Sequence, residues 1–189
     1  MNRELFQDLI DNQITLLKKV KTDSKLQDDI HKAANIIIAA LRNNLPLLVM
    51  GNGGSASDAM HITGELLGRF VYERKPLNAI CLNSEIAAIT AISNDDDYSQ
   101  IFSRQVKAHA APNGVLLGIS TSGNSLNIVN AFKEANKQGR KAIALTGFGG
   151  GRLKEFSESS TKLDPKSLYG KSKLANEEYA SLFAEKTGL

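Results

Sequence analysis

Four short apolar runs dominate the chain: LPLLVMG (45–51), LNAICLN (77–83), GVLLGIST (114–121) and RKAIALTG (140–147), each closed by Gly, Ser, Thr or Asn. A strand with one wet face alternates apolar and polar residues. These runs do not alternate, so both of their faces must be buried, as happens in parallel sheets covered by helices. Stretches of helical character lie between them, over 58–69, 85–92 and 125–138. Strand and helix in turn give right-handed βαβ units. The expected fold is therefore α/β, an open parallel sheet with helices on both faces.

Two helices precede the sheet. Apolar residues recur at helical spacing at Phe6, Leu9, Ile10, Leu16, Leu17 and Val20, and again at Leu26, Ile30, Ala34, Ile37, Ile38 and Leu41. Thr22, Asp23 and Ser24 supply cap candidates between them, and Asn43 with Asn44 closes the second helix. His31 falls on the charged side of that helix and reads as a solvated surface residue.

At 189 residues the length suits one domain, and 42% hydrophobic with 23% charged residues is an ordinary globular balance. The net charge of +3 is spread along the chain with no basic arm, which argues against a nucleic-acid partner. The start, MNRELFQDLIDNQ, lacks the apolar core of a signal peptide, and no stretch approaches the ~20 apolar residues of a membrane span. Cys81, the single cysteine, excludes an internal disulfide and a multi-cysteine zinc site. The expectation is a cytoplasmic protein with an inert, buried Cys81 thiol.

Ligands of open parallel sheets bind beyond the carboxyl ends of the strands. Here those ends run into GNGGSASD (51–58), STSGNS (120–125) and TGFGGG (146–151). Glycine admits close backbone approach, and hydroxyls with the free N–H groups of a helix start donate to phosphate. Two hydroxyl-rich loops at one sheet edge point to an anion site; the plainer alternative is that they only make turns and caps. Neither G-x-G-x-x-G nor G-x-x-x-x-G-K-[ST] occurs, so a monophosphorylated metabolite fits better than a dinucleotide or a P-loop nucleotide.

His61 and Glu65 stand four apart on the helix leaving the first loop, hence on one face, with Asp58 three residues before His61 as an orienting or capping group. Glu65 suits a general base and His61 a metal ligand or acid partner; a surface ion pair is the alternative. In SNDDDY (93–98), read as an acidic turn, Asn94 and Asp95 can bond sugar hydroxyls or simply remain solvated. His109 precedes a Pro-Asn-Gly turn and reads as a surface residue.

The segments GNGGSASDAMHITGELLGRF, AISNDD, IFSRQV and GVLLGISTSGNSLNIVNAFKEANKQGRKAIALTGFGGG together resemble the phosphoheptose isomerases, the sugar isomerase (SIS) domain enzymes of bacterial lipopolysaccharide and capsule heptose synthesis, over residues 1–151. The resemblance implies a flavodoxin-like SIS fold and isomerisation of sedoheptulose 7-phosphate to D-glycero-D-manno-heptose 7-phosphate through an enediol. It also implies a homotetramer with sites between subunits. Carried onto this sequence, Asn52, Gly53, Gly54 and Ser55 with Ser120, Thr121, Ser122 and Ser125 would hold phosphate and sugar. Asn94 and Asp95 would bind the sugar, His61 and Glu65 would hold zinc, and Glu65 would be half of the acid/base pair.

Residues 152–189 depart from that pattern. The family carries a Gln and a His on a C-terminal helix, the remaining metal ligands and the second acid/base group, whereas no histidine follows His109 here. SLYGKSKLANEEYA instead resembles the Tyr-x-x-x-Lys helix of short-chain dehydrogenases, with Tyr169 and Lys173 at its pair, although that family's N-terminal glycine motif is absent. Apolar residues Leu168, Leu174, Tyr179, Leu182 and Phe183 suggest an amphipathic helix there. The expected organisation is an SIS core over 1–151 and an atypical tail over 152–189. Three functional readings follow: an isomerase, a catalytically impaired sugar-phosphate-binding module, and a regulatory SIS protein that reads a hexose phosphate.

Overall fold

The computed structural model describes residues 3–69, 71, 73–109 and 111–157. Four parallel strands, β1 (Leu47–Gly51), β2 (Ala79–Cys81), β3 (Val115–Ser120) and β4 (Lys141–Thr146), form one sheet in the order β2-β1-β3-β4. Leu47 lies opposite Ala79 on one side and Val115 on the other, and Val115 lies opposite Lys141. Every residue of β1 and β3 is buried, as their unbroken apolar runs require.

Successive side chains of a strand point to opposite faces, so each strand feeds two cores. Leu48, Met50, Leu116, Ala142 and Ala144 pack with Phe102, Val106, Ile128 and Phe132 on one face. Leu47, Val49, Val115, Leu117, Ile119 and Ile143 pack with Ala33, Ala40 and Ala59 on the other. The first face is covered by α5 (Ile101–Ala108) and α6 (Leu126–Lys137), with α4 (Ile86–Asp95) against it through Ile89 and Ile92. The second is covered by α2 (Ser24–Arg42) and α3 (Gly54–Leu67). This is the expected open parallel sheet with helices on both faces. Among the described residues, no helix is long and apolar enough to cross a membrane.

The N-terminal pair is α1 (Arg3–Thr22) followed by α2, with one residue between them. Asp23 caps α2, its carboxylate accepting the Leu26 N–H at 2.9 Å, a contact worth roughly 1 kcal/mol. Leu16 is buried, whereas Ile10, Ile14, Leu17, Ile30 and Ile38 remain exposed, and His31 is exposed as expected.

Several boundaries differ from the sequence reading. α3 begins at Gly54 rather than near residue 58, because Gly53 takes a positive φ of 55° and turns the chain into the helix at once. Asn94 and Asp95 form the last turn of α4 instead of a loop; Asp96 ends that helix. Asp97 then caps a single 3₁₀ turn, Tyr98–Gln100, that leads directly into α5. After β4, a glycine-rich 3₁₀ segment, Phe148–Glu155, kinked at Gly149, Gly150 and Gly151, buries Leu153 completely in the first core. The expectations for Tyr169, Lys173 and an amphipathic tail helix fall outside the described residues.

Candidate functional site

The chain leaves β1 toward β2 on one side and β3 toward β4 on the other, so the loops after these two neighbouring strands diverge and leave a crevice between them. At the first lip, Asn83 fixes Gly51 from both sides: the Gly51 N–H donates to Asn83 Oδ1 at 3.1 Å, and Asn83 Nδ2 donates to the Gly51 carbonyl at 2.8 Å. A Cβ at Gly51 would overlap the Ser55 carbonyl, so only glycine allows α3 to start this close to β1. Gly53 and Gly54 are exposed at the rim, while Ser55 is buried in the first turn of α3.

The second lip is a hydroxyl-lined bend. Ser120 Oγ lies 3.3 Å from Ser125 Oγ and accepts the Gly123 N–H at 3.1 Å, and Ser122 Oγ accepts the Asn124 N–H at 3.1 Å. Ser125 occupies the N-cap position of α6 without using its side chain as a cap, which leaves the hydroxyl beside the positive end of that helix. The glycine-rich segment after β4 holds this bend from behind. The Gly147 N–H donates to the Thr121 carbonyl at 2.8 Å, Leu153 N–H to the Gly123 carbonyl at 3.1 Å, and Arg152 N–H to Asn124 Oδ1 at 3.0 Å.

The two lips are joined. Asn52 Nδ2 donates to Asn127 Oδ1 at 2.9 Å, and Asn127 Nδ2 donates back to Asn52 Oδ1 at 2.8 Å. Tyr98 Oη, from the 3₁₀ turn, donates to the same Asn52 oxygen at 3.1 Å. Asn52, Ser120, Ser122 and Ser125 are thus assembled at one sheet edge. Asn83, Tyr98 and Asn127 were not visible as site residues in the sequence. The available signal for Asn127 is a polar residue in the first turn of a helix directly before the buried pair Ile128 and Val129.

The charged candidates lie elsewhere. His61 Nε2 and Glu65 Oε1 are 4.0 Å apart on α3, with side chains 77% and 39% exposed. Glu65 stands eleven residues after Gly54, about 16 Å along the helix axis, so the carboxylate and the first lip sit toward opposite ends of α3 in one chain. Arg74 secures this end, donating to the backbone carbonyls of Glu65 and Leu66 at 2.6 and 2.8 Å. Asp58 is half-buried within α3. Asn94 and Asp95 are exposed, with Asn94 Nδ2 donating to Asp95 Oδ1 at 2.8 Å. His109 is half-buried at the end of α5, where its carbonyl accepts from Arg140, and Cys81 is buried in β2.

A catalytic zinc takes about three protein ligands and keeps an open position. Among the described residues, no three His, Cys, Asp or Glu side chains gather to hold a metal, and His61 with Glu65 supplies two donors on an exposed helix face. The described residues therefore do not fit the zinc site that the sequence resemblance implied.

The SIS domain profile matches residues 10–147, from the middle of α1 to just beyond β4. A phosphoheptose isomerase of Aliarcobacter butzleri is 42% identical over 158 residues, covering 84% of this chain and 82% of the relative. The chain belongs to the phosphoheptose isomerase family of SIS-domain proteins. A second family member, from Helicobacter pylori strain 26695, is 47% identical over 70% of this chain and 69% of its own length. The solved structure of a phosphoheptose isomerase from Francisella tularensis shares the fold, with a TM-score of 0.79 at 37% identity over 85% of this chain and 83% of that one. The region common to the family thus contains both lips, the Asn52–Asn127 bridge and the His61–Glu65 pair.

Proposed function

We propose that this protein converts sedoheptulose 7-phosphate to D-glycero-D-manno-heptose 7-phosphate for lipopolysaccharide or capsule heptose synthesis, as a cytoplasmic homotetramer. The observation that carries the reading is the convergence of two hydroxyl- and glycine-lined lips at the β1/β3 switch point of a phosphoheptose isomerase family member. Backbone N–H groups and hydroxyls of Ser55, Thr121, Ser122 and Ser125, with the start of α6, suit a phosphate. The amide of Asn52 suits a sugar oxygen, and Asn94 with Asp95 suits hydroxyls farther out.

The chemistry needs one proton moved between adjacent carbons. A carboxylate takes it from C1 of the ketose, electrons shift to give the enediol, and the same group returns the proton to C2, while a second acid/base group moves the proton between the two oxygens. Glu65 is the carboxylate of choice. Its position toward the far end of α3 favours a site closed by a neighbouring copy, so that one subunit's lips face another subunit's Glu65.

A second reading, a sugar-phosphate-binding module that does not turn over, draws support from the exposed His61–Glu65 pair and the lack of histidine after His109. Incubation with sedoheptulose 7-phosphate separates the two. Aldose formation that disappears in Glu65→Gln supports the isomerase, and binding without turnover in both proteins supports the module.

A further inference from the structure

The orientation of the Asn52 amide follows from a single backbone donor. The Ile128 N–H, which can only donate and is shared with the Ser125 carbonyl at 3.1 Å, lies 2.9 Å from one terminal atom of Asn127 and marks that atom as the oxygen, since a nitrogen there would set donor against donor. The other terminal atom of Asn127 is then the nitrogen, and it requires an acceptor opposite. That acceptor is Asn52 Oδ1, at 2.8 Å, which leaves Asn52 Nδ2 facing Asn127 Oδ1 at 2.9 Å.

The inventory of bonds then closes on one side. A carboxamide oxygen has two lone pairs, and both on Asn52 are taken, one by Asn127 Nδ2 and one by the Tyr98 hydroxyl at 3.1 Å. Both lone pairs of Asn127 Oδ1 are taken as well, by Asn52 Nδ2 and the Ile128 N–H. Asn52 retains one N–H, and among the described residues no group accepts it. Asn127 is 2% exposed, so water competes poorly for the bridge, whereas Asn52 is only half-buried and its remaining N–H is available to a ligand.

We propose that Asn127, assisted by Tyr98, is a positioning residue that makes Asn52 a donor of one N–H into the crevice, so that the site accepts an electron-rich oxygen there and disfavours a hydroxyl that must donate. On the proposed isomerase reading, on which this inference rests, that oxygen belongs to the bound sugar phosphate. A ketose carbonyl, an enediolate or a phosphate oxygen meets the requirement. A hydroxyl fits here only through its oxygen lone pairs, with its own proton directed to another acceptor, a constraint that neither asparagine would impose if free to rotate its amide by 180°.

A double-mutant cycle tests the assignment, carried out in the Glu65→Gln background so that sedoheptulose 7-phosphate binds without turning over. Asn52→Ala and Asn127→Ala should each weaken binding about tenfold, Tyr98→Phe about threefold, and Asn52→Ala with Asn127→Ala no more than Asn52→Ala alone. Losses that multiply in the double variant would overturn the proposal, because Asn127 would then act without Asn52. Should Asn127→Ala fail to fold, the exposed Tyr98 provides the same cycle with Asn52.

A ligand-free readout separates this proposal from the isomerase reading. In ¹⁵N-labelled protein, the Asn52 side-chain amide should show one slowly and one rapidly exchanging proton, and the slow one should become fast in Asn127→Ala. Two fast protons in the parent protein would overturn the proposal. A parent protein that binds no sugar phosphate yet keeps the slow and fast pair would overturn the heptose reading while upholding the orientation of Asn52.

Discussion

Gly123 and Gly150 are backed against each other so closely that a Cβ on Gly123 would overlap the Gly150 carbonyl. Gly123 also takes a φ of 65°, in the left-handed region that L side chains avoid. Gly123→Ala therefore meets two penalties, and we expect a loss of about 3 kcal/mol from left-handed strain and overpacking together. A urea titration should show the lower midpoint. Sedoheptulose 7-phosphate binding should weaken as well, since the hydroxyl bend cannot keep its shape.

Glu65→Gln preserves the size of the side chain and removes its basicity. Aldose formation from sedoheptulose 7-phosphate should fall by roughly 10²- to 10⁴-fold, with binding of the sugar phosphate retained. Unchanged turnover would remove Glu65 from the proton-transfer step.

The two serines of the bend should differ in their effect on stability. Ser120 is buried and its oxygen accepts the Gly123 N–H, whereas Ser122 is exposed and accepts the Asn124 N–H. Ser120→Ala removes one of the two acceptors of the buried Gly123 N–H, whose bond to the Ser120 carbonyl at 3.2 Å remains, together with the hydroxyl contact to Ser125, a cost of about 1 kcal/mol, and Ser122→Ala should cost less. Thermal unfolding of the two variants, compared side by side, checks the order.

Asp97 caps the 3₁₀ turn that carries Tyr98. Hydrogen bonds from the Ser99 side chain, first, and the Ser99 backbone N–H hold the Asp97 carboxyl below the usual carboxylate range, against a slight opposing effect of burial. A depressed carboxyl contributes stability above its unfolded value and loses it as the pH falls through the folded value. The ordering of Tyr98 should thus persist at neutral pH and weaken under acid. Asp97→Asn should abolish that acid-dependent component, which can be followed from the Tyr98 ring resonances across a pH titration.

The sheet was legible because both faces of β1 and β3 are buried, which gives apolar runs that nothing else in a chain of this length explains. The bends were legible from Gly, Ser and Thr at the strand ends. α5 was not: in IFSRQVKA the buried residues are Ile101, Phe102, Gln105 and Val106, and eight residues hold barely two turns of period beside the acidic SNDDDY. The bridge from Asn52 to Asn127 joins residues 75 positions apart, a relation set by strand order and not by local spacing. The separation of Glu65 from the start of α3 is likewise not a matter of local spacing. Helical spacing pairs it with His61, but distance from the loop accumulates along the axis with every turn.

The hold of residues 147–153 on the bend at 120–125 makes the latter's shape a property of a contiguous stretch of gene. Among the described residues its last backbone tether is the Leu153 amide, so exchange of the coding sequence downstream of them leaves these tethers in place. The bend can accordingly be inherited as a finished part.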